Sequence, residues 1–294
     1  MCRPFLLHRP CSSRFSFHSG QWRWEDVIGR KAGDMATISV VIPAHNDAPF
    51  LAVCLAALAR QTRLPDEVVV VDNCSEDDTA GVCAAAGVRR VVEALPGVAA
   101  ATACGFDAAE GDILTRLDAD SVPPPYWLAR MEELVEDAGP MTAVTGPGNF
   151  YGGNRLTRWI AENLYIAGYR WSMNILMGHP PIFGSNFALH ASMWKRLREG
   201  MHRSGSRIHD DLDLSWQIAP DMDVLWVDSL RVGVSARPLE SWSGLGRRLS
   251  MAWTTFRTDF EQQGPVERRR LRRRWRTNNG PGRTYPSAGG APSA

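Results

Sequence analysis

The chain lacks any apolar run near the ~20 residues that a bilayer-spanning helix needs, which predicts a soluble or peripheral protein. It lacks a strong charge of either sign: the net charge is +1, so composition makes no case for nucleic acid as a partner. Its six cysteines include no C-x-x-C pair and no accompanying histidine pair, which argues against a zinc ribbon or finger. Cys54 and Cys83 fall on apolar helix faces, where a thiol serves as a small hydrophobe, and a reduced cytoplasmic setting fits. Neither G-x-x-x-x-G-K nor G-x-G-x-x-G follows a strand, so no ATP phosphate loop or dinucleotide fingerprint is present. Residues 1–34 scatter Arg and His among aromatics and have no continuous apolar core, unlike a secretory signal. Met35 directly precedes the first strand, so residues 1–34 read as a disordered extension or a start-site artefact.

What is present is a regular alternation. The chain has 294 residues, 44% hydrophobic, enough for one large domain or a domain with an added lobe. The runs ISVVIP (38–43), EVVVVD (67–72), VRRVV (88–92), DILTRL (112–117) and MTAVTG (141–146) predict strands. Helical patterns separate them: Leu51, Cys54, Leu55 and Leu58 on one face, a capping box from Ser75 to Asp78, an Ala-rich stretch over 97–110, and PYWLARMEELVEDA opened by Pro124 and Pro125. This implies an α/β fold, a Rossmann-like and mostly parallel sheet with helices on both faces. Ligands of such sheets bind beyond the carboxyl ends of the strands. The second half predicts a long amphipathic helix over Arg155–Ile175, a strand at GSNFAL, an acidic helix start at HDDLDLSWQI, paired strands DVLWVD and RVGVSA, and a helix over Trp242–Phe260. From Gln262 the chain is basic, then Gly/Pro/Ser-rich, and is expected to be disordered. The run RRRLRRRWR (268–276) reads first as a solvated tail and second as a surface attracted to an anionic membrane.

Candidate chemistry gathers at strand ends. Asp118 and Asp120, two residues apart after a buried strand, can converge on Mg²⁺ or Mn²⁺, whose shell substrate phosphates would complete. The plainer alternative is an acidic turn with Ser121 and Pro123. Asp72 can accept from a base N–H or ribose hydroxyls, or simply cap a turn. Asp210, Asp211 and Asp213 either suit the dipole at a helix start or supply a general base, with Asp213 reading as a lining residue. His45, His179 and His209 read as loop histidines, although His45 lies in the candidate cleft.

Four segments fall in one order: VVIPAHND (40–47), VVVDNCSEDDT (70–79), GDILTRLDADSVPPPYWL (111–128), and GSNFALHASMWKRL (184–197) followed by HDDLDLS (209–215). Together they resemble glycosyltransferase family 2 over roughly Thr37–Leu230. The resemblance implies a GT-A fold and inverting transfer from a nucleoside-diphosphate sugar to an acceptor hydroxyl. By motif it puts Pro43, Ala44, His45, Asp47, Asp72 and Asp118 at the nucleotide, and Asp118 and Asp120 at a Mn²⁺ or Mg²⁺ ion. Gly184, Ser185, Asn186 and Asp210 would face sugar and acceptor, and Asp211 would be the base. The family's Ala-Arg-Asn in the third helix is replaced around Thr102-Ala103, and Q-x-x-R-W is absent, which favours single transfer over polymerisation.

The implied division is a nucleotide-sugar half over 35–146, an acceptor half over 147–260 and a basic tail over 261–294. The acceptor is expected to be a lipid-linked, cell-envelope or small-molecule hydroxyl, met in the cytoplasm or on the inner membrane face. A sugar nucleotidyltransferase would need a Gly-rich, basic loop that VVIPAHND does not provide. A degenerate nucleotide- or glycan-binding module would predict a broken D-x-D or a missing base, yet Asp118, Asp120 and Asp211 are all there.

Overall fold

The computed structural model of the chain describes residues 36–151, 166–203, 207–237 and 242–279. Its first part alternates as expected: β1 (Ile38–Ala44), α1 (Ala48–Leu58), β2 (Glu67–Asp72), α2 (Thr79–Ala86), β3 (Arg89–Val92), α3 (Val98–Ala108), β4 (Ile113–Arg116), α4 (Trp127–Ala138) and β5 (Thr142–Thr145). Then follow β6 (Gly148–Tyr151), α5 (Ile166–Met177), β7 (Phe187–His190), α6 (Ala191–Leu197), α7 (Asp210–Gln217), β8 (Asp223–Trp226), β9 (Val232–Ser235), α8 (Trp242–Gln262) and α9 (Pro265–Asn279).

Seven strands make one sheet in the order β3-β2-β1-β4-β7-β5-β8. The valine- and isoleucine-rich β1 and β2 are buried on both faces, as parallel strands covered by helices must be. Alternate side chains feed two cores: Val40, Ile42, Val68 and Val70 meet α1 and α4, while Val41, Val69 and Val71 meet α3 and α6. Gly105 permits the close approach of α3, because a Cβ there would stand 2.3 Å from Val41 Cγ1. Strand β7 is antiparallel to both β4 and β5, so its beginning lies at the edge where the parallel strands end. The loop 184–186 is thereby delivered to the ligand-binding edge. Strands β7 and β8 join the same sheet as β1–β5.

Several sequence expectations are corrected. Strands β8 and β9 do not pair with each other: β8 joins β5, and β9 joins β6 in a separate two-stranded parallel sheet. The chain between them passes over Gly146, where a Cβ would meet Leu230 O at 2.0 Å. The capping box does not form; α2 starts at Thr79, and Asp77 instead accepts from Thr79 N (3.1 Å) and from Ala48 N (2.8 Å), pinning α1 and α2 together. Pro124 and Pro125 lie in the turn before α4 rather than inside it, with Trp127 N donating to Pro124 O. Of the helix expected over Arg155–Ile175, only the part from Ile166 is described; residues 1–34 lie outside the described residues.

The largest departure is the tail. The stretch expected to be disordered forms α9 over Pro265–Asn279. Its arginines are not all solvated: Arg268 and Arg272, one turn apart, point inward and are buried. Arg268 donates to the carbonyls of Ser215, Trp216 and Ile218, and Arg272 donates to Met222 O (2.7 Å) and Asp223 (2.8 Å). These carbonyls lie at the end of α7 and just beyond it, where a cation is favoured. Replacing Arg268 with Ala should cost about 2–3 kcal/mol of stability, as bonds from a charged donor are lost, while Arg270→Ala, on an exposed side chain, should cost little. Equal melting temperatures for the two variants would show that α9 does not brace α7.

Candidate active site

Most of the residues singled out from the sequence lie at the edge where β1, β2 and β4 end; Asp213 meets His202, and His179 meets Arg268, elsewhere. The organiser of the edge is Arg116, the last residue of β4, whose side chain is 3% exposed. Its Nη2 lies 2.9 Å from Asp118 Oδ1 and 3.0 Å from Asp210 Oδ2. Burial works against the Arg116 charge, but Asp210, Asp118, Asp211 and Asp120 together raise its pKa. Asp210 also accepts from Thr102 Oγ1 at 2.7 Å. Thr102 thus stands where the family often has an arginine, and it braces α7 rather than reaching a nucleotide. Burial pushes the Asp210 carboxyl up while Arg116 pulls against it.

Asp211 lies beside this pair, in the first turn of α7. Its Oδ1 is 2.9 Å from His209 Nδ1, and its Oδ2 accepts from Gly184 N at 3.2 Å. Burial alone would raise its pKa; His209, Arg116 and the Gly184 amide override this and bring it down to about 2. Asp211 is therefore a carboxylate throughout the neutral range. Gly184 has no room for a side chain, since a Cβ would meet Arg116 Nη1 at 2.6 Å and Asp211 Oδ2 at 3.1 Å. Ser185 donates its hydroxyl to Asp118. Asn186 is fully buried, and its amide bonds Leu230 O (2.6 Å) and Trp127 Nε1 (2.8 Å), so it locks the loop.

Asp120 is held differently. Arg237 bridges it to Asp47, at 3.1 and 3.0 Å, while stacking 3.6 Å over the Phe50 ring. Burial and the charge of Asp118 lift the Asp120 pKa to about 6 against the pull of Arg237. Excess negative charge of this kind, on hard oxygen atoms, fits a divalent cation such as Mg²⁺ or Mn²⁺. Among the described residues, Asp118 and Asp120 belong to no group of three His, Cys, Asp or Glu ligand atoms lying within 4.8 Å of one another, so an ion there needs oxygens from water or a phosphate.

On the nucleotide side, Pro43 and Ala44 end β1, and His45 Nδ1 meets Asn73 O at 2.7 Å, joining the loops after β1 and β2. Asp72 is already engaged: Oδ1 accepts from Ser75 N, and Oδ2 accepts from Arg90 Nε at 2.8 Å. Burial raises its pKa, but the bonds from Ser75 and Arg90 bring the net shift downward. The sequence pattern did not point to Arg116, Arg237 or Arg90 as site residues, nor to the bracing roles of Thr102 and His209. Arg116 carried a signal, a charged residue inside a strand that must be buried. Arg237 carried none, being 117 residues from its partner Asp120.

An α/β sheet with a carboxylate cluster at its ligand edge fits the GT-A fold that the family resemblance implies. Residues 39–197, more than half the chain, match the family model "Glycosyl transferase family 2", and the chain belongs to that family. An uncharacterized glycosyltransferase of Mycobacterium tuberculosis strain H37Rv is 43% identical over 89 residues, which cover 30% of this chain and 38% of that protein. An undecaprenyl-phosphate 4-deoxy-4-formamido-L-arabinose transferase of Pseudomonas fluorescens is 33% identical over 109 residues, 34% of this chain and 32% of that protein. The matched region thus spans only about a third of these curated relatives. Among solved structures, the mannosyltransferase PcManGT from Pyrobaculum calidifontis, in complex with GDP-Man and Mn²⁺, superposes with TM-score 0.60 at 20% identity, covering 84% of this chain and 71% of that one. Glucosyl-3-phosphoglycerate synthase of M. tuberculosis gives TM-score 0.54 at 22% identity, covering 75% and 78%. These likenesses support the fold.

The grip of His209 on Asp211 is testable without substrate. In His209→Ala the Asp211 carboxyl should titrate about one unit higher, read by carbon NMR of labelled aspartate. An unchanged titration would remove His209 from the site.

Proposed function

We propose that this glycosyltransferase moves a single sugar from a nucleoside-diphosphate donor to an acceptor hydroxyl, with inversion at the anomeric carbon. The observation that carries the reading is the placement of two carboxylates, Asp118 and Asp211, around buried Arg116 at the sheet edge. Residues 35–146 would hold the donor, with Pro43, Ala44, His45 and Asp47 along the nucleotide and Asp72 acting through Arg90. Residues 147–260 would hold the acceptor, with Gly184 and Ser185 beside the sugar. Asn186 and Asp210 would act by positioning their neighbours.

Asp211 accepts the acceptor's hydroxyl proton. The freed oxygen attacks the anomeric carbon from the face opposite the diphosphate. The bond from that carbon to the phosphate oxygen breaks, and its electron pair leaves with the nucleoside diphosphate. Asp118 and Asp120 would hold a Mn²⁺ or Mg²⁺ ion, whose charge offsets that of the departing diphosphate. Arg237 pairs with Asp120 at 3.1 Å, so an ion held there would have to share that carboxylate with it. The Mn²⁺ and GDP-Man in the mannosyltransferase complex support this choice of ion and donor class.

Calorimetric titration of UDP, GDP and dTDP, with and without Mn²⁺, tests the donor site. One nucleotide should bind in a metal-dependent manner, and Asp120→Ala should abolish that binding. Asp211→Asn should keep donor affinity and lose transfer by about 10²–10⁴-fold. No nucleotide binding by folded protein would count against the reading.

A membrane-bound acceptor is supported by one surface. Val266, Arg269, Arg270, Arg273 and Arg274 line a groove of about 540 Å³ on the outer side of α9. Among the described residues none of these four arginines forms an ion pair, and Trp171, Trp253 and Val266 are 69%, 73% and 71% exposed. Exposed arginines suit an anionic bilayer surface, and exposed tryptophans suit its interfacial zone. No described helix is long and apolar enough to cross a membrane. The chain should sediment with anionic vesicles at low salt, and not with zwitterionic ones. Equal sedimentation with both would contradict the membrane reading.

A further inference from the structure

Away from the carboxylate cleft, three side chains from separate segments meet in the interior. His202 follows α6, Asp213 belongs to α7 and Asp259 to α8, and their ligand atoms all lie within 4.8 Å of one another. His202 Nδ1 is 2.9 Å from Asp213 Oδ1 and 3.4 Å from Asp259 Oδ1. Both aspartate side chains are 0% exposed. Asp213 is used locally, since its Oδ2 accepts from His202 N at 2.7 Å. Asp259 is not: both its oxygens are buried, and neither accepts a hydrogen bond. A buried carboxylate left this way is costly unless a cation or donor joins it. The arginine whose charge bears on Asp259, Arg268, directs its terminal nitrogens to the carbonyls of Ser215, Trp216 and Ile218. Burial and the neighbouring Asp213 raise the Asp259 pKa to about 9, so the carboxyl keeps a proton as long as no cation is present.

We propose that His202, Asp213 and Asp259 form a second metal site, which takes a zinc-like divalent ion. Ligand atoms around a tetrahedral ion with ~2.0–2.1 Å bonds stand ~3.3 Å apart. The observed 2.9 and 3.4 Å bracket that spacing. An imidazole with two carboxylates suits zinc, whereas the all-oxygen pair Asp118 and Asp120 suits Mg²⁺ or Mn²⁺. The outer partner that a metal-binding histidine requires is also present. His202 Nε2 lies 2.6 Å from the Gln262 side-chain amide, whose oxygen and nitrogen exchange places by a half-turn. With the oxygen facing the ring, Nε2–H donates to Gln262, and the Nδ1 lone pair is left for the ion. Gln217 supports Asp213 Oδ1 from the other side at 3.3 Å. The His202 side chain is 19% exposed, which gives a water access to a fourth position. The ion would tie α8 to α7, the helix that carries Asp210 and Asp211 in its first turn. The site stands independently of the donor reading.

The test uses the whole chain, stripped with a chelator and titrated with Zn²⁺ and with Co²⁺ alone. One equivalent should bind, with the visible absorption of a tetrahedral cobalt centre, and added zinc should raise the melting temperature. Both effects should persist in Asp120→Ala and be lost in Asp259→Asn and in His202→Gln. Failure of the folded wild-type chain to bind zinc or cobalt overturns the site. So does binding that survives in both Asp259→Asn and His202→Gln, or a thiolate-to-cobalt charge-transfer band, which would assign the ion to cysteine.

Discussion

A single buried guanidinium sets the geometry of this molecule's ligand edge. Arg116 ends a central strand where neither water nor backbone neutralises it, so carboxylates must come to it. Asp118 arrives from the turn that follows, and Asp210 arrives from a helix far along the chain. The loop before β7 has to pass against the same guanidinium, and only a residue without a side chain fits, hence Gly184. Thr102, from α3, donates to the same Asp210 oxygen that Arg116 contacts. Charge balance around one residue thus brings together four segments that share no local sequence logic.

The second requirement is that α7 be held still, because its first turn carries both Asp210 and Asp211. Its start is fixed through Arg116, Thr102 and the Gly184 amide. Its end is capped by Arg268, with Arg272 gripping the segment just beyond. A short helix of this kind has little stability of its own, so tertiary contacts at both ends are what keep it in place. The basic run that looks like a solvated tail is in part this clamp, with an inward face on α7 and an outward face of exposed arginines.

The parallel strands and the D-x-D turn were legible because burial on both faces demands continuous β-branched runs, and carboxylates ending such runs stand out. The GSN and HDD segments were placed by family resemblance, and they do reach the same edge. The partners that organise the site were less visible. Arg116 stands out only as a charge inside a buried strand, and Arg237 meets Asp120 only after the chain has folded. Asn186 was expected at the ligand but is consumed by buried carbonyl and indole partners. Strand pairing failed for β8 and β9 because adjacency in sequence says nothing about which open edge a strand finds. The composition of residues 268–276 predicted solvation, since a charge count does not record that every fourth arginine can turn inward to cap carbonyls.

The central claim is that Arg116 is the counter-ion around which the site is built. Its most direct test is the thermal stability of Arg116→Met compared with Arg116→Met combined with Asp210→Asn. Removing the cation alone strands a buried carboxylate and should cost about 3–5 kcal/mol. Neutralising Asp210 in the same chain should restore most of that loss. If the double variant is no more stable than the single one, the carboxylates are held by something other than Arg116, and the account of the site is wrong.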